Sequence, residues 1–336
     1  MLVYGVNDAG CLIIFINYDI YGVIIYIFDL FFLYIQLMKY SHLIFLLLLA
    51  SVNLPAQTHD LSLKLEKGQE FRQHMVNSSL ISQTVMGREV EMEISMESDM
   101  QYRVLACVDS LYELEVWFER LVMNSIVPEG MREVRYSSED PAADDPIAGL
   151  LSRVVNKPFI LLVNSRGVIG EIKRSAQLLH EIEQVSSEQL GYFAELFMQA
   201  FGDGSNYVNF GMLVRLPDLS VGLGDSWPGN DWLSSGIPVN ATATYTLVGV
   251  NDDSFVIRGR SIFSSTIETW AKAPDFDLKL NGDIISEIVL HRETGLVQSA
   301  SHIQDMKGNG TFQPPQGDHP IEMAMHMLTS IQISGQ

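Results

Sequence analysis

Hydrophobic and polar residues alternate with a period of two along residues 90–108. One set of alternate positions is mostly apolar and includes Met92, Ile94, Met96 and Met100, whereas the intervening set begins with glutamates and a serine. A period of two is that of a β-strand with one covered and one wet face. At about 3.3 Å per residue the stretch would span roughly 60 Å, far more than a common strand of ~5–6 residues. The pattern predicts a large antiparallel sheet with a methionine-rich covered face, in which this strand is either long and curved or broken by a bulge.

Similar alternation, punctuated by turn residues, continues through most of the chain. Met86-Gly87 supplies a glycine where two long strands must reverse, and Met323, Met325 and Met327 alternate near the end of the chain as the methionines of 90–108 do. Strands are predicted at 61–66, 70–85, 89–108, 113–120, 129–136, 159–163, 168–172, 243–247, 255–257, 278–290, 296–302 and 321–333.

Helical spacing is confined to the middle of the chain. After a helix start at Asp145-Pro146, apolar residues follow at i, i+3, i+4, i+7 and i+8 from Ile147, and two further helices are predicted at 175–183 and 187–200. The predicted fold class is therefore α+β: a large curved antiparallel sheet, half-barrel-like, with a few central helices packed on it. This domain occupies residues 57–336, and its pattern allows two lobes, 57–174 and 205–336, joined by helices within 175–203.

The first 56 residues have the pattern of a targeting segment. Residues 38–56 combine Lys39, an apolar run and the cleavage-like end Leu54-Pro55-Ala56, which is typical of a secretory signal peptide. Residues 1–37 are then predicted to be a mis-assigned extension ahead of a true start at Met38. The alternative is a transmembrane helix from about Cys11 to Leu37, against which its internal aspartates argue. The mature protein is expected to be exported to the periplasm or cell envelope of a Gram-negative bacterium.

Charge and cysteine content narrow the possible partners. Removing residues 1–56, which contain Lys39 and three aspartates, leaves 20 basic and 38 acidic residues and a net charge of −18. Such an acidic chain is unsuited to nucleic acid, because neutralising phosphates requires a basic patch. Cys107 is then the one remaining cysteine, and its place in an apolar alternation predicts a small buried side chain. The oligomeric state and any protein partner are left open.

Catalytic motifs do not stand out in the sequence. There is no Gly-x-Ser-x-Gly, no phosphate-binding glycine loop, and no short-range histidine pairing typical of zinc sites. We therefore expect a protein that is not an enzyme and needs no cofactor or metal; a hydrolase is an alternative. In the segment Gly224-Asp225-Ser226-Trp227, the tryptophan is expected to anchor a loop and Asp225 or Ser226 to bond local backbone.

The methionines are the sharpest chemical feature, and three interpretations of them are open. Thioethers suit Cu(I), although His326 would point away from its methionine neighbours. Met-rich surfaces also suit promiscuous apolar ligands, so a lipid or other hydrophobic molecule is the second candidate. A structural or partner-binding envelope protein, in which methionine only fills the core, is the third. The predicted ligand-binding residues are Met92, Ile94, Met96, Met100, Met323, Met325 and Met327.

Several short segments occur in an order that resembles a known family. They are Lys67-Gly68-Gln69-Glu70-Phe71, Gln83-Thr84-Val85-Met86-Gly87, Tyr136-Ser137-Ser138, the run from Val221 to Trp227, and Glu293-Thr294-Gly295-Leu296. They resemble an uncharacterised family of exported Gram-negative proteins with a domain of unknown function. The resemblance implies a β-rich envelope protein with no catalytic residues to transfer. Many members carry a lipidated cysteine, which this sequence lacks after residues 38–56. The expected architecture is also similar to that of periplasmic lipoprotein carriers.

Overall fold

The computed structural model describes Tyr34 and residues 57–128, 133–140, 146–173, 214–232, 240–267, 276–312 and 319–336. The chain divides into two compact units between Ala56 and Gln57, and the second unit, Gln57–Gln336, carries the structure described below. The predicted segments 1–37 and 38–56 lie outside the described residues apart from Tyr34, as do the predicted helices at 175–203.

Long antiparallel strands make up most of the described chain. The strands are β1 (Thr58–His59), β2 (Glu70–Val85), β3 (Arg88–Val108), β4 (Leu111–Ile126), β5 (Arg135–Ser137), β6 (Phe159–Asn164), β7 (Ile169–Lys173), β8 (Val221–Gly222), β9 (Ser226–Trp232), β10 (Asn240–Val250), β11 (Ser254–Ile267), β12 (Phe276–His291), β13 (Val297–Phe312) and β14 (Ile321–Gly335). One helix, α1 (Pro146–Ser152), is present among the described residues. No helix in this part of the chain is long and apolar enough to cross a bilayer.

Twelve of these strands form one main sheet. Its order is β7-β6-β4-β3-β2-β14-β13-β12-β11-β10-β9, with β5 paired to β4 beside that path, and β1 pairs separately with β8. In the half formed by β9 to β14 all consecutive strands are neighbours. In the half formed by β2 to β7 the same holds, except that β6 pairs with β4 instead of β5. The halves meet where β14 pairs with β2. The first and last long strands of the unit are therefore direct neighbours at the middle of the sheet.

The predicted α+β class is wrong, because the described residues are almost all β. The helical pattern after Asp145 was correct but yields only the seven residues of α1. The strands, in contrast, are longer than the sequence suggested: β4 reaches Ile126 and β13 reaches Phe312. Strand pairing of this length supplies the hydrogen bonds and packing that the prediction had assigned partly to helices.

Two local predictions in the first half are also wrong. Residues 61–66 do not form a strand; they run across the end of the main sheet with Leu61, Leu63 and Leu65 buried. Cys107 is exposed instead of buried. The register of β3 against β4 shifts between Val104 and Ala106, and Glu70, the first residue of β2, lies opposite Arg103. The last residues of β3 therefore extend beyond β2.

The buried core lies at one end of the main sheet, here called the closed end. Leu61 and Leu63 are each 2% exposed and pack there with residues from both halves, including Tyr102, Leu114 and Leu247. The backbone of residues 63–64 bonds the turn of each half: Leu63 N donates to Ser165 O at 2.8 Å and Lys64 N donates to Thr294 O at 2.9 Å. The segment 60–66 therefore covers this end and links the two halves.

A glycine at the β12–β13 turn makes that covering possible. Gly295 has a φ of 72°, and a Cβ added there would overlap the carbonyl oxygen of Ser62. Both the left-handed backbone and the close approach of segment 60–66 require a residue without a side chain.

Candidate functional site

The main sheet has two chemically different faces. The face that packs against Leu61, Leu63 and Leu65 at the closed end is called the inner face, and the opposite face the outer face. In β14 the inner positions Met325 and Met327 are buried, whereas Ala324, His326 and Leu328 on the outer face are exposed. The strand period of two thus separates methionines from solvent-exposed residues.

All seven predicted ligand-binding residues lie on extended backbone and on the inner face. Those in β3 are Met92, Ile94, Met96 and Met100; those in β14 are Met323, Met325 and Met327. The structure does not bring them together as one cluster, because β2 separates β3 from β14. Their role in binding stays a prediction.

Met100 and Met96 belong to surroundings of their own. Met100 is 3% exposed and forms part of the closed-end core, with its sulfur 3.8 Å from the Tyr102 hydroxyl. Met96 lies opposite Met123 of β4, whose other neighbour is the buried Tyr136 of β5. Met123 had not been recognised from the sequence.

The remaining methionines form a continuous inner-face surface far from the closed end. Ile81 lies opposite both Met92 and Met327, and Met306 lies opposite Met327 on the other side. We call this set the methionine surface: Ile81, Met92, Met306, Met323, Met325 and Met327. Ile81, Met92 and Met323 are half-buried, whereas Met306, Met325 and Met327 are buried. The part of this surface formed by Ile81, Met92 and Met323 is thus less completely covered than the closed end.

A row of polar side chains crosses the inner face between the closed end and the methionine surface. The Ser79 and Thr329 hydroxyls are 2.9 Å apart, and Ser286 Oγ lies 2.8 Å from His302 Nδ1. Gln304 lies opposite Thr329 in β14 and is 5% exposed. We call this set the polar band: Ser79, Ser261, Ser286, His302, Gln304 and Thr329. It extends over β2, β14, β13, β12 and β11.

The polar band and Met306 were not predicted from the sequence, because in β12 and β13 some hydrophobic residues of the alternation lie on the outer face instead of the inner one. Ile303 is 52% exposed on the outer face, while its neighbour Gln304 is buried on the inner one. Ile285, opposite Ile303, is likewise exposed. Hydrophobic positions therefore identify the wrong face here.

Two polar atoms on the inner face have no hydrogen-bond partner within the described part of the chain. They are Ser98 Oγ and Gln304 Nε2. Ser98 lies between the apolar side chains of Met75 and Leu121 on the neighbouring strands. A buried polar atom without a partner costs about 1–3 kcal/mol, so each calls for an explanation.

Histidine–carboxylate pairs occur on the outer face instead. His74 Nδ1 is 2.6 Å from Asp99 Oδ1, and His326 Nε2 is 2.9 Å from Asp305 Oδ1. Arg120 contacts Asp99 as well, and its hydrogen bond to Glu97 raises the pKa of the guanidinium. These side chains are at least partly exposed, which is typical of surface ion pairs.

Two observations bear on the copper hypothesis. The described ranges contain no group of three or more His, Cys, Asp or Glu residues placed to hold a metal ion. His326, the histidine within the methionine run, is bonded to Asp305 on the outer face, opposite to the three sulfurs. A Cu(I) site on the inner face would therefore have to use the methionine thioethers without His326.

The local hydrogen bond and the anchoring tryptophan predicted for segment 224–227 are found, but Ser226 and Trp227 lie in strand β9 and not in a loop. Asp225 Oδ2 accepts a hydrogen bond from Gly222 N at 2.8 Å, and Trp227 is buried with its indole N–H donating to Arg215 O at 3.2 Å. Trp227 also lies beside Tyr245 of β10. The aromatic side chain thus fixes the start of β9 in the closed-end core.

A sequence-family model matches residues 109–297, more than half of the chain, and is described as a family of unknown function, DUF6263. The chain belongs to this family. The predicted resemblance to an uncharacterised family is confirmed at that level, whereas export and Gram-negative origin stay predictions. No curated protein matches the chain.

Among solved structures, the chain is similar to lipovitellin, in a structure of its lipid–protein interactions, with 12% identity and a TM-score of 0.43. The likeness covers 81% of this chain and 26% of the other, so the chain spans about a quarter of lipovitellin's length. The outer membrane protein OprG of Pseudomonas aeruginosa gives 9% identity, a TM-score of 0.25, and coverage of 80% and 96%. An outer membrane channel from Pseudomonas putida F1 has 6% sequence identity and a TM-score of 0.23, and the likeness covers 81% of this chain and 97% of the channel. At these TM-scores none of the three supports an inference about this chain.

Proposed function

We propose that the protein binds a lipid or another apolar small molecule on the inner face of its main sheet, and that it is not an enzyme. The leader-like pattern of residues 38–56 supports a site of action outside the cytoplasm, in the cell envelope. The proposal depends on one observation: the methionine surface lies on the same face as the closed-end core, yet Met92 and Met323 are only half-buried.

The chemistry of the methionine surface suits an apolar ligand. Its side chains are unbranched or aliphatic, and thioethers adapt their shape and polarise against varied apolar partners. Binding sites for small molecules are mostly apolar with few polar groups. On the outer face beside this surface, Glu91 and Glu93 are exposed, so solvent and ligand would meet different sides of β3.

The arrangement of titratable groups supports a role without catalysis. A general acid or base must lie within hydrogen-bond reach of the reacting atoms. The two His–Asp pairs named above lie on the outer face, away from the inner face on which we place the ligand. On the inner face His302 bonds Ser286, and none of the described inner-face residues of β11, β12, β13 and β14 is an Asp or Glu that could orient this histidine as a base. A hydrolytic activity in the purified protein that is lost in His302→Ala or in His74→Ala would contradict this part of the proposal.

A matched pair of charge insertions tests the binding proposal. Met92→Glu places a carboxylate on the methionine surface, whereas Leu80→Glu places one on the outer face of the adjacent β2, where Leu80 is exposed. We expect Met92→Glu to weaken binding of a fluorescent apolar probe at least tenfold, because burying an unpaired charge is costly, and Leu80→Glu to leave it unchanged. Native mass spectrometry of the gently purified protein should show a bound molecule. A wild-type protein that binds no probe and carries no ligand would overturn the proposal.

A further inference from the structure

Gln304 has an unused hydrogen-bond donor at the boundary between two inner-face surfaces. Its side chain is 5% exposed, and its Nε2 finds no acceptor within the described ranges. Along β13 it lies between His302 and Met306, so the polar band is on one side of it and the methionine surface on the other. Residues two apart on a strand are about 6.8 Å apart, which is within the size of a lipid head group.

The polar neighbours of Gln304 bond to one another instead. Thr329, directly opposite in β14, pairs its hydroxyl with Ser79. Ser286 pairs with His302, and Ile284 is the residue opposite Gln304 in β12. The hydroxyl groups of the polar band thus have partners, whereas the amide donor of Gln304 has none there. This donor needs an acceptor from outside the band.

The surroundings also select the charge of that acceptor. The described inner-face residues of β2, β11, β12, β13 and β14 include no Lys, Arg, Asp or Glu. The inner-face ionisable side chain nearest to Gln304 along β13 is that of His302, because the adjacent Asp305 lies on the outer face. A carboxylate or phosphate moved to this position would lose its hydration without gaining a cationic partner. An ester or amide carbonyl loses much less and accepts one hydrogen bond.

We infer that the ligand is an uncharged amphipathic lipid whose ester or amide carbonyl accepts a hydrogen bond from Gln304 Nε2 while its hydrocarbon chain lies on the methionine surface. This inference rests on the proposed function, since it specifies the ligand class of the same site. It assigns Gln304 the role of a specificity residue, distinct from the apolar residues that supply most of the affinity.

Three probes of equal chain length test the inference: methyl laurate, laurate and dodecane, each delivered from cyclodextrin at pH 8 in competition with a fluorescent apolar probe. We expect the ester to bind about tenfold more tightly than the alkane, because a buried donor gains its missing bond, and more tightly than the carboxylate. Gln304→Leu should abolish the preference for the ester over the alkane without weakening alkane binding. If Gln304→Leu does not fold, Gln304→Met, which keeps the length of the side chain, is used in its place for the same comparison.

Gln332→Leu is the matched control, because Gln332 is exposed on the outer face of β14 and bonds Ser301 there. It should keep the wild-type preference. Equal binding of ester and alkane by the wild type, tighter binding of laurate, or an unchanged preference in both Gln304 variants would overturn the inference while leaving the proposed function standing. Failure of all three probes to bind would overturn both.

Discussion

The two ends of the main sheet differ in how completely the inner face is covered and in the side chains that line it. At the closed end, segment 60–66 seals the face: Leu63 is 2% exposed and the buried Tyr112 donates its hydroxyl to Leu63 O at 2.7 Å. Farther along the same strands lie the polar band, in which Gln304 has an unused donor, and then the methionine surface, in which Ile81, Met92 and Met323 are only half-buried. Because the strands are continuous, the difference arises from what covers them and from side-chain chemistry. The closed end stabilises the fold, and the methionine surface is where we propose that the ligand binds.

The largest expected effect comes from opening the closed end. Leu63→Ala should lower the free energy of unfolding by about 3 kcal/mol, because it removes a buried side chain and leaves a cavity. Met92→Ala, at a half-buried position, should cost about 1 kcal/mol. Urea denaturation of the two variants measures the difference. Equal losses would mean that the two ends do not differ in packing as described.

The second effect depends on pH and arises from Tyr102. Burial raises the pKa of this phenol far above its ordinary 10.0, and its hydroxyl donates to Gln73 Oε1 at 2.8 Å. Above pH 10 the unfolded chain loses this proton and the folded chain keeps it, so stability should fall as pH rises through that value. Tyr102→Phe should reduce the loss of stability between pH 9 and 11, measured by thermal unfolding. An unchanged loss would show that Tyr102 ionises freely in the folded protein.

The smallest effect is a gain of stability at Ser98, which is 0% exposed and unpartnered within the described ranges. Ser98→Ala removes a buried hydroxyl from an apolar environment and should raise the free energy of unfolding by about 1 kcal/mol. Ser95→Ala, on the outer face of the same strand, should change it by less than about 0.5 kcal/mol. A loss of stability in Ser98→Ala would mean that this hydroxyl has a partner after all, unlike the donor of Gln304.

Local patterns predicted the strands well where the hydrophobic face was also the inner face. The hairpin expected at 70–85 and 89–108 is found as Glu70–Val85 and Arg88–Val108, because its period of two and its Met86-Gly87 turn both report local geometry. Segment 61–66 has the same alternation, yet it covers the sheet instead of joining it. Alternation shows that a segment is extended with one apolar side, but it does not show what the segment pairs with.

Long-range features could not be predicted from local sequence. The pairing of β2 with β14 joins strands almost at opposite ends of the unit, and no turn connects them. The polar band could not be predicted from hydropathy, because Ile303 is exposed and Gln304 is buried, which is the reverse of the usual relation between hydropathy and burial. Such a reversal is locally unfavourable, and proteins retain features of this kind where a function compensates for them.

Methionine oxidation tests the central claim most directly, because the chain contains its own references. Met86, in the β2–β3 turn, is 75% exposed, and Met100 is buried in the closed-end core. With dilute peroxide and mass spectrometry, we expect Met86 to oxidise fast and Met100 slowly whether or not an apolar ligand is present. Met92 and Met323 should oxidise at an intermediate rate in the empty protein and several-fold more slowly once methyl laurate is bound. Unchanged oxidation rates at Met92 and Met323 in the presence of bound ligand would contradict the account.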